Sequence, residues 1–183
     1  MAFNLTSDIC EIILKNIYKP KYELLEWIDI NKLDYGVLSA NPKSINIISK
    51  DINKNLLRID WNNLSSNINA IELLIKNHRM INWDFISSNP SAITLLKKNN
   101  RMINWHFLSK NSAAIELLSK NSKKINWKLI SSNPNAISLL KKNQDKIDWS
   151  MFSSNPNAIS LLEENQDKID WSMLSKNPNA IFY

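Results

Sequence analysis

The chain has 183 residues, 44% of them hydrophobic, so it is long and apolar enough to bury a core, and disorder is excluded as the starting expectation. Its single glycine leaves almost no supply of cheap positive-φ positions, which argues against hairpin-rich β folds and phosphate-cradling loops. The net charge of +6 is unevenly spread: residues 1–75 carry 8 Lys/Arg against 9 Asp/Glu, residues 76–146 carry 13 against 3, and residues 147–183 carry 2 against 5.

One cysteine, Cys10, allows no internal disulfide, and no charged segment followed by an apolar run and a cleavage site opens the sequence. No stretch approaches the roughly eighteen apolar residues that a membrane span needs. A soluble protein in a reducing, intracellular compartment is expected, where the sequons at Asn4 and Asn63 carry no weight.

The first predicted element follows Thr6-Ser7-Asp8, a capping segment, and runs through Ile9, Ile12, Ile13 and Ile17 as an amphipathic helix that includes Cys10 as an ordinary small apolar residue. A second short helix is expected from Tyr22 to Trp27. Residues 1–34 then form an N-terminal helical cap, which a solenoid needs because its first repeat has no neighbour to bury its face.

From Tyr35 onward the chain repeats. Leu33-Asp34-Tyr35, Leu38-Ser39-Ala40-Asn41-Pro42 and Ser44-Ile45 are a diverged first copy, separated from the next by four extra residues. Trp61, Trp83, Trp105, Trp127, Trp149 and Trp171 follow at intervals of 22 residues. Around each runs one frame: Ile, Asp or Asn, Trp, two variable residues, an apolar residue, Ser, a variable residue, Asn, usually Pro, then x-Ala-Ile-x-Leu-Leu-x-x-Asn. The array breaks off inside a unit at Ala180-Ile181-Phe182-Tyr183.

Each unit is expected to hold two helices. In Asn155 to Asn165, Asn at the N-cap and Pro at the first helical position open a long helix. Ala158, Ile159, Leu161 and Leu162 cover one side of it, and Asn165 closes it in the left-handed conformation. A short helix begins at Trp149, with Asp148 as cap and Ile147 and Phe152 spaced as a hydrophobic staple. Neither persists alone, because isolated helices below about twelve residues are marginal in water. The fold predicted is all-α, an α-solenoid of 22-residue helix-turn-helix repeats over residues 35–183, in preference to a β-solenoid or leucine-rich horseshoe.

The six tryptophans are expected to form the repeat core, each N–H finding one partner, rather than platforms for bases or sugars. The recurring asparagines are expected to cap helices, with a stacked ladder between repeats as a further possibility. Catalysis has little to draw on. His78 and His106 stand at different places in the frame, neither with Cys or a carboxylate at metal-ligand spacing, and are expected to be solvated. No catalytic, metal or cofactor site is expected, nor a small-molecule substrate.

A binding surface should use the positions that the frame leaves free: the residue after each Trp (Asp84, His106, Lys128, Ser150), the middle of the long helix (Glu72, Thr94, Glu116, Ser138), and its end and following turn. That last set contains Lys97, Lys98, Arg101, Lys120, Lys123, Lys124, Lys141, Lys142 and Lys146, which the fixed period lines up along one edge. AT-rich codon usage competes with function as the origin of these lysines.

The alternation of Asn-Pro-Asn-Ala-Ile-x-Leu-Leu with Ile-Asp-Trp-x-x-Leu-Ser, over about residues 35–183, resembles the tryptophan- and asparagine-rich repeat proteins of nucleocytoplasmic large DNA viruses. That resemblance implies a viral or similarly AT-rich origin and a cytoplasmic setting, that of an infected cell for a viral protein, and says little about activity. Leu5-Thr6-Ser7-Asp8-Ile9 with Ile12-Ile13 is faintly similar to the start of an F-box, without the proline that usually follows the leucine. The leading expectation is a non-catalytic scaffold or adaptor that binds a protein partner, with no membrane association. The alternatives are nucleic-acid binding through the basic edge and ubiquitin-ligase recruitment through residues 5–17.

Overall fold

The computed structural model describes residues 23–50 and 52–181, all of whose regular structure is helical. The predicted helix at residues 9–17, Cys10 and the F-box-like segment lie outside the described residues. In the described part of the cap, Glu23 to Trp27 form no helix. A single turn closes from the Ile28 N–H to the Leu25 carbonyl, leaving Leu25 and Trp27 largely exposed, and a 3₁₀ turn follows over Ile30–Lys32.

The α-solenoid is present, with finer parts than the sequence suggested. The unit beginning at Trp83 has a Trp helix (Trp83–Ser87), a 3₁₀ turn (Pro90–Ala92), a Leu helix (Ile93–Lys98) and a second 3₁₀ turn (Asn100–Met102) before the next Trp helix (Trp105–Leu108). The long helix is thus broken where Ala92 adopts φ −90°, ψ 1°, between the α and extended regions. Proline is not what makes the turn. Ala70 and Ala114, in units with no proline, donate to the Asn67 and Asn111 carbonyls at 3.1 Å, as Ala92 does to Asn89.

Each Trp helix starts from an extended Asp or Asn whose side chain accepts from the next turn's N–H groups, as Asn82 does from Asp84 and Phe85. The Leu helix ends differently from expectation. No described residue has a positive φ, and Asn165 sits at φ −137°, ψ 50°. Instead its Nδ2 donates to the carbonyl of Leu161, four residues back, at 2.9 Å, as do Asn77, Asn99, Asn121 and Asn143 to theirs. A side-chain donor on a carbonyl of the last turn closes the helix in place of the left-handed conformation.

The core is one continuous strip. Four places in the frame supply it: the apolar residue of the Trp helix (Leu64, Ile86, Leu108, Ile130, Phe152), the turn alanine (Ala70, Ala92, Ala114, Ala136, Ala158), the second leucine (Leu74, Leu96, Leu118, Leu140, Leu162) and the isoleucine before the cap (Ile59, Ile81, Ile103, Ile125, Ile147), all buried. Helices of four to six residues persist because consecutive Trp helices pack on one another along this strip.

Candidate functional site

Two polar columns run through the junctions between units. The first uses the Asn that opens each turn. Asn111 is fully buried; its Nδ2 donates to the Ser87 and Asn89 carbonyls of the preceding unit at 3.0 and 2.8 Å, while its Oδ1 accepts from the Ala113 N–H. Asn67, Asn89, Asn133, Asn155 and Asn177 repeat the arrangement, so the stacked ladder of asparagines exists. Only an amide fits this place: both donors and one acceptor are consumed, and an aspartate would aim a carboxylate at two carbonyls.

The second column uses the buried serine of the Trp helix. Ser109 Oγ donates to the Trp105 carbonyl and accepts from the N–H of Asn126, the cap of the following unit; Ser87, Ser131 and Ser153 do the same. A hydroxyl serves here because it donates and accepts at once. Farther out, Asn69, Asn135, Asn157 and Asn179 donate to backbone carbonyls of the preceding turn.

The residue after Trp is committed in most units, contrary to expectation, although Lys128 stays exposed as expected. The next unit's cap reaches back to it: Asn82 Nδ2 donates to Asn62 Oδ1, Asn104 Nδ2 to Asp84 Oδ1 at 2.7 Å, and Ser150 Oγ to Asp170 Oδ2 at 2.6 Å. His106 is likewise committed. Asn126 Oδ1 accepts from the Leu129 N–H, so Nδ2 is the end that faces His106 Nδ1 at 2.9 Å, and it donates to that nitrogen in the neutral tautomer that carries its proton on Nε2. Ser150, with the Met173 backbone N–H second, holds the Asp170 carboxyl below its ordinary value.

The tryptophans line the core without being enclosed by it. Trp61, Trp83, Trp105, Trp127 and Trp149 are half-buried against the strip, and Trp171 is 66% exposed. A cation closes the outer face of several rings. Lys124 lies over Trp105 at 4.5 Å, Lys146 over Trp127 at 4.9 Å and Lys168 over Trp149 at 4.7 Å, each from the turn after the ring's own Leu helix. Arg58 does the same for Tyr35 at 4.3 Å and also donates to the Leu33 carbonyl at 2.8 Å, bridging the four extra residues back to the cap. The Trp61 Nε1 is buried without the partner expected for it.

The nine residues of the candidate basic edge are all exposed, but they are not equivalent. Lys124 and Lys146 cover rings. Lys97 and Lys120 clasp Glu116 at 3.5 and 2.6 Å, and the hydrogen bond and charge of Lys120, followed by Lys97, hold that carboxyl below its ordinary value. Lys98, Arg101, Lys123, Lys141 and Lys142 remain exposed and uncommitted. The frame also brings Lys76 and Arg79 to the same two places one unit earlier, where both are exposed; the edge expected from the sequence left them out, although they stand 22 residues before Lys98 and Arg101. A recess of about 250 Å³ opens beside Trp105 between Arg101 and Lys124.

His78 is exposed in a 3₁₀ turn. Among the described residues no cluster of three His, Cys, Asp or Glu is set to hold a metal ion, and no helix is long and apolar enough to cross a membrane. Comparison with protein-family models, curated proteins and solved structures returns no match.

Proposed function

We propose that the chain is a non-catalytic repeat scaffold that binds a protein partner along its edge of exposed cations. One observation supports this reading above others: the polar groups that recur in the frame are largely consumed in joining one unit to the next, whereas Lys98, Arg101, Lys123, Lys141 and Lys142 are held out from the array with nothing to bind. Rows of solvated charge steer association and set partner choice. Affinity purification with the full chain, beside a chain with these five residues changed to Glu, tests it. Partners retained by the first and lost by the second are expected, and an identical set of partners on both refutes a role for the edge.

Nucleic-acid binding is the second reading, favoured by 13 basic against 3 acidic residues in 76–146. The viral, intracellular setting belongs to the proposal and rests on the resemblance of the Trp/Asn frame alone. Ligase recruitment through residues 5–17 rests on the weaker resemblance there, and deletion of those residues with loss of a ligase subunit from the purified set would support it.

A further inference from the structure

We infer that the segment bound along this edge is an extended, acidic polypeptide with apolar side chains set among its carboxylates. This deepens the scaffold reading and rests on it. The edge consists of two rows in register: Lys76, Lys98, Lys120 and Lys142 at one place in the frame, of which Lys120 is shared with Glu116, and Arg79, Arg101 and Lys123 three residues further on. All seven are exposed. Next to these cations in the chain, in the first two units, stand exposed apolar side chains: Ile75 at 52%, Met80 at 37% and Met102 at 48%.

Packed helices lie about 8–10 Å apart, so each row presents one cation at about that interval. A polypeptide in the polyproline II conformation rises about 3.1 Å per residue, which brings every third side chain round at about 9.3 Å, one per unit. A Glu-x-x-Glu pattern therefore meets successive lysines of a row, and the apolar residues between reach Ile75, Met80 and Met102.

The same edge suits a nucleic acid poorly. Bases bound without pairing need open aromatic faces, but lysines cover the rings of Trp105, Trp127 and Trp149. The edge reverses sign toward its C-terminal end, first in the second row, where Asp145 takes the place of Lys123, and then where Glu163 and Glu164 take the places of Lys141 and Lys142. That reversal fixes where the acidic run of the partner must stop, and with it the register of binding.

Fluorescence anisotropy of the full chain tests this with three labelled probes: a peptide of four Glu-Leu-Pro triplets, one of four Glu-Ser-Pro triplets, and a twelve-nucleotide oligouridine. The Glu-Leu-Pro peptide should bind most tightly at low salt. Lys98→Glu with Lys142→Glu should weaken it about tenfold or more, as expected when rows of charge are reversed. Met102→Ser should weaken Glu-Leu-Pro and leave Glu-Ser-Pro unmoved, and Lys98→Gln with Lys142→Gln serves where the reversed chain loses its circular dichroism. Absence of peptide binding, indifference to these changes, or equal or tighter binding of oligouridine overturns the inference. Partners lost from the charge-reversed chain while the peptide fails to bind would overturn this inference alone and leave the scaffold standing.

Discussion

Replacing Asn111 with Ala removes one buried amide from the middle of the asparagine column. The Ser87 carbonyl accepts its only hydrogen bond from Asn111 Nδ2, so it is left orphaned inside the junction, which costs about 1–3 kcal/mol. The Ala113 N–H loses its capping acceptor, a further loss of about 0.5–2 kcal/mol. The Asn89 carbonyl keeps its bond from the Ala92 N–H and adds little. The total expected is about 1.5–5 kcal/mol on these two terms, read as a lowered urea midpoint by circular dichroism. Asn177→Ala deletes the same three contacts from the last junction. In a chain of nearest-neighbour contacts, that change should fray the final unit and barely shift the main transition. Hydrogen exchange should then rise over residues 171–181 only. A midpoint for Asn111→Ala within error of the parent, or equal shifts for the two variants, would refute the account of the column.

Two further outcomes follow from the pairing across junctions and from its carboxylates. Asn104→Asp sets two carboxylates against each other where Asn104 Nδ2 now donates to Asp84 at 2.7 Å, and should cost about 1 kcal/mol although Asp is as good a cap as Asn. Adding Asp84→Ser should restore the loss by recreating the Ser150–Asp170 pair, so a denaturation double-mutant cycle showing simple additivity would count against the pairing. Glu116 and Asp170 both titrate below their ordinary values of 4.5 and 3.8, so each contributes stability that is fully present above those values and lost as pH falls through the lower folded value. In Lys120→Met, an NMR titration should show Glu116 moving up toward its ordinary value, and no movement would mean that the Lys120 contact does not persist in solution.

The 22-residue period, the Asn caps and the four apolar places were legible because each is a property of one segment read locally: Asn-Pro opens a turn, and Ile, Leu and Ala recur on one side. The fate of the recurring polar groups was less so. Asn165 and Asn155 are the same residue type at the two ends of one Leu segment, yet one closes its own helix and the other reaches the unit before it. Sequence gives the recurrence of a donor and not its direction. The residue after Trp looked free because it varies, but it varies in step with the next cap: Asp84 faces Asn104, His106 faces Asn126 and Ser150 faces Asp170, each a donor set against an acceptor. The half-burial of the indoles follows from packing that local pattern does not contain, since the lysine that covers Trp105, Trp127 or Trp149 stands 19 residues further along.

The asparagine column has a consequence for how such a chain changes length. Every rung asks the same things of its neighbour, two backbone carbonyls below and one N–H of its own, and backbone groups do not depend on which side chains the neighbour carries. A duplicated stretch of 22 codons inserted in frame would therefore find its seat ready, and a deleted one would let the flanking rungs close on each other. Arrays of this kind can grow or shrink by copying errors without renegotiating their interior, while the outward lysines and glutamates are left to diverge from rung to rung.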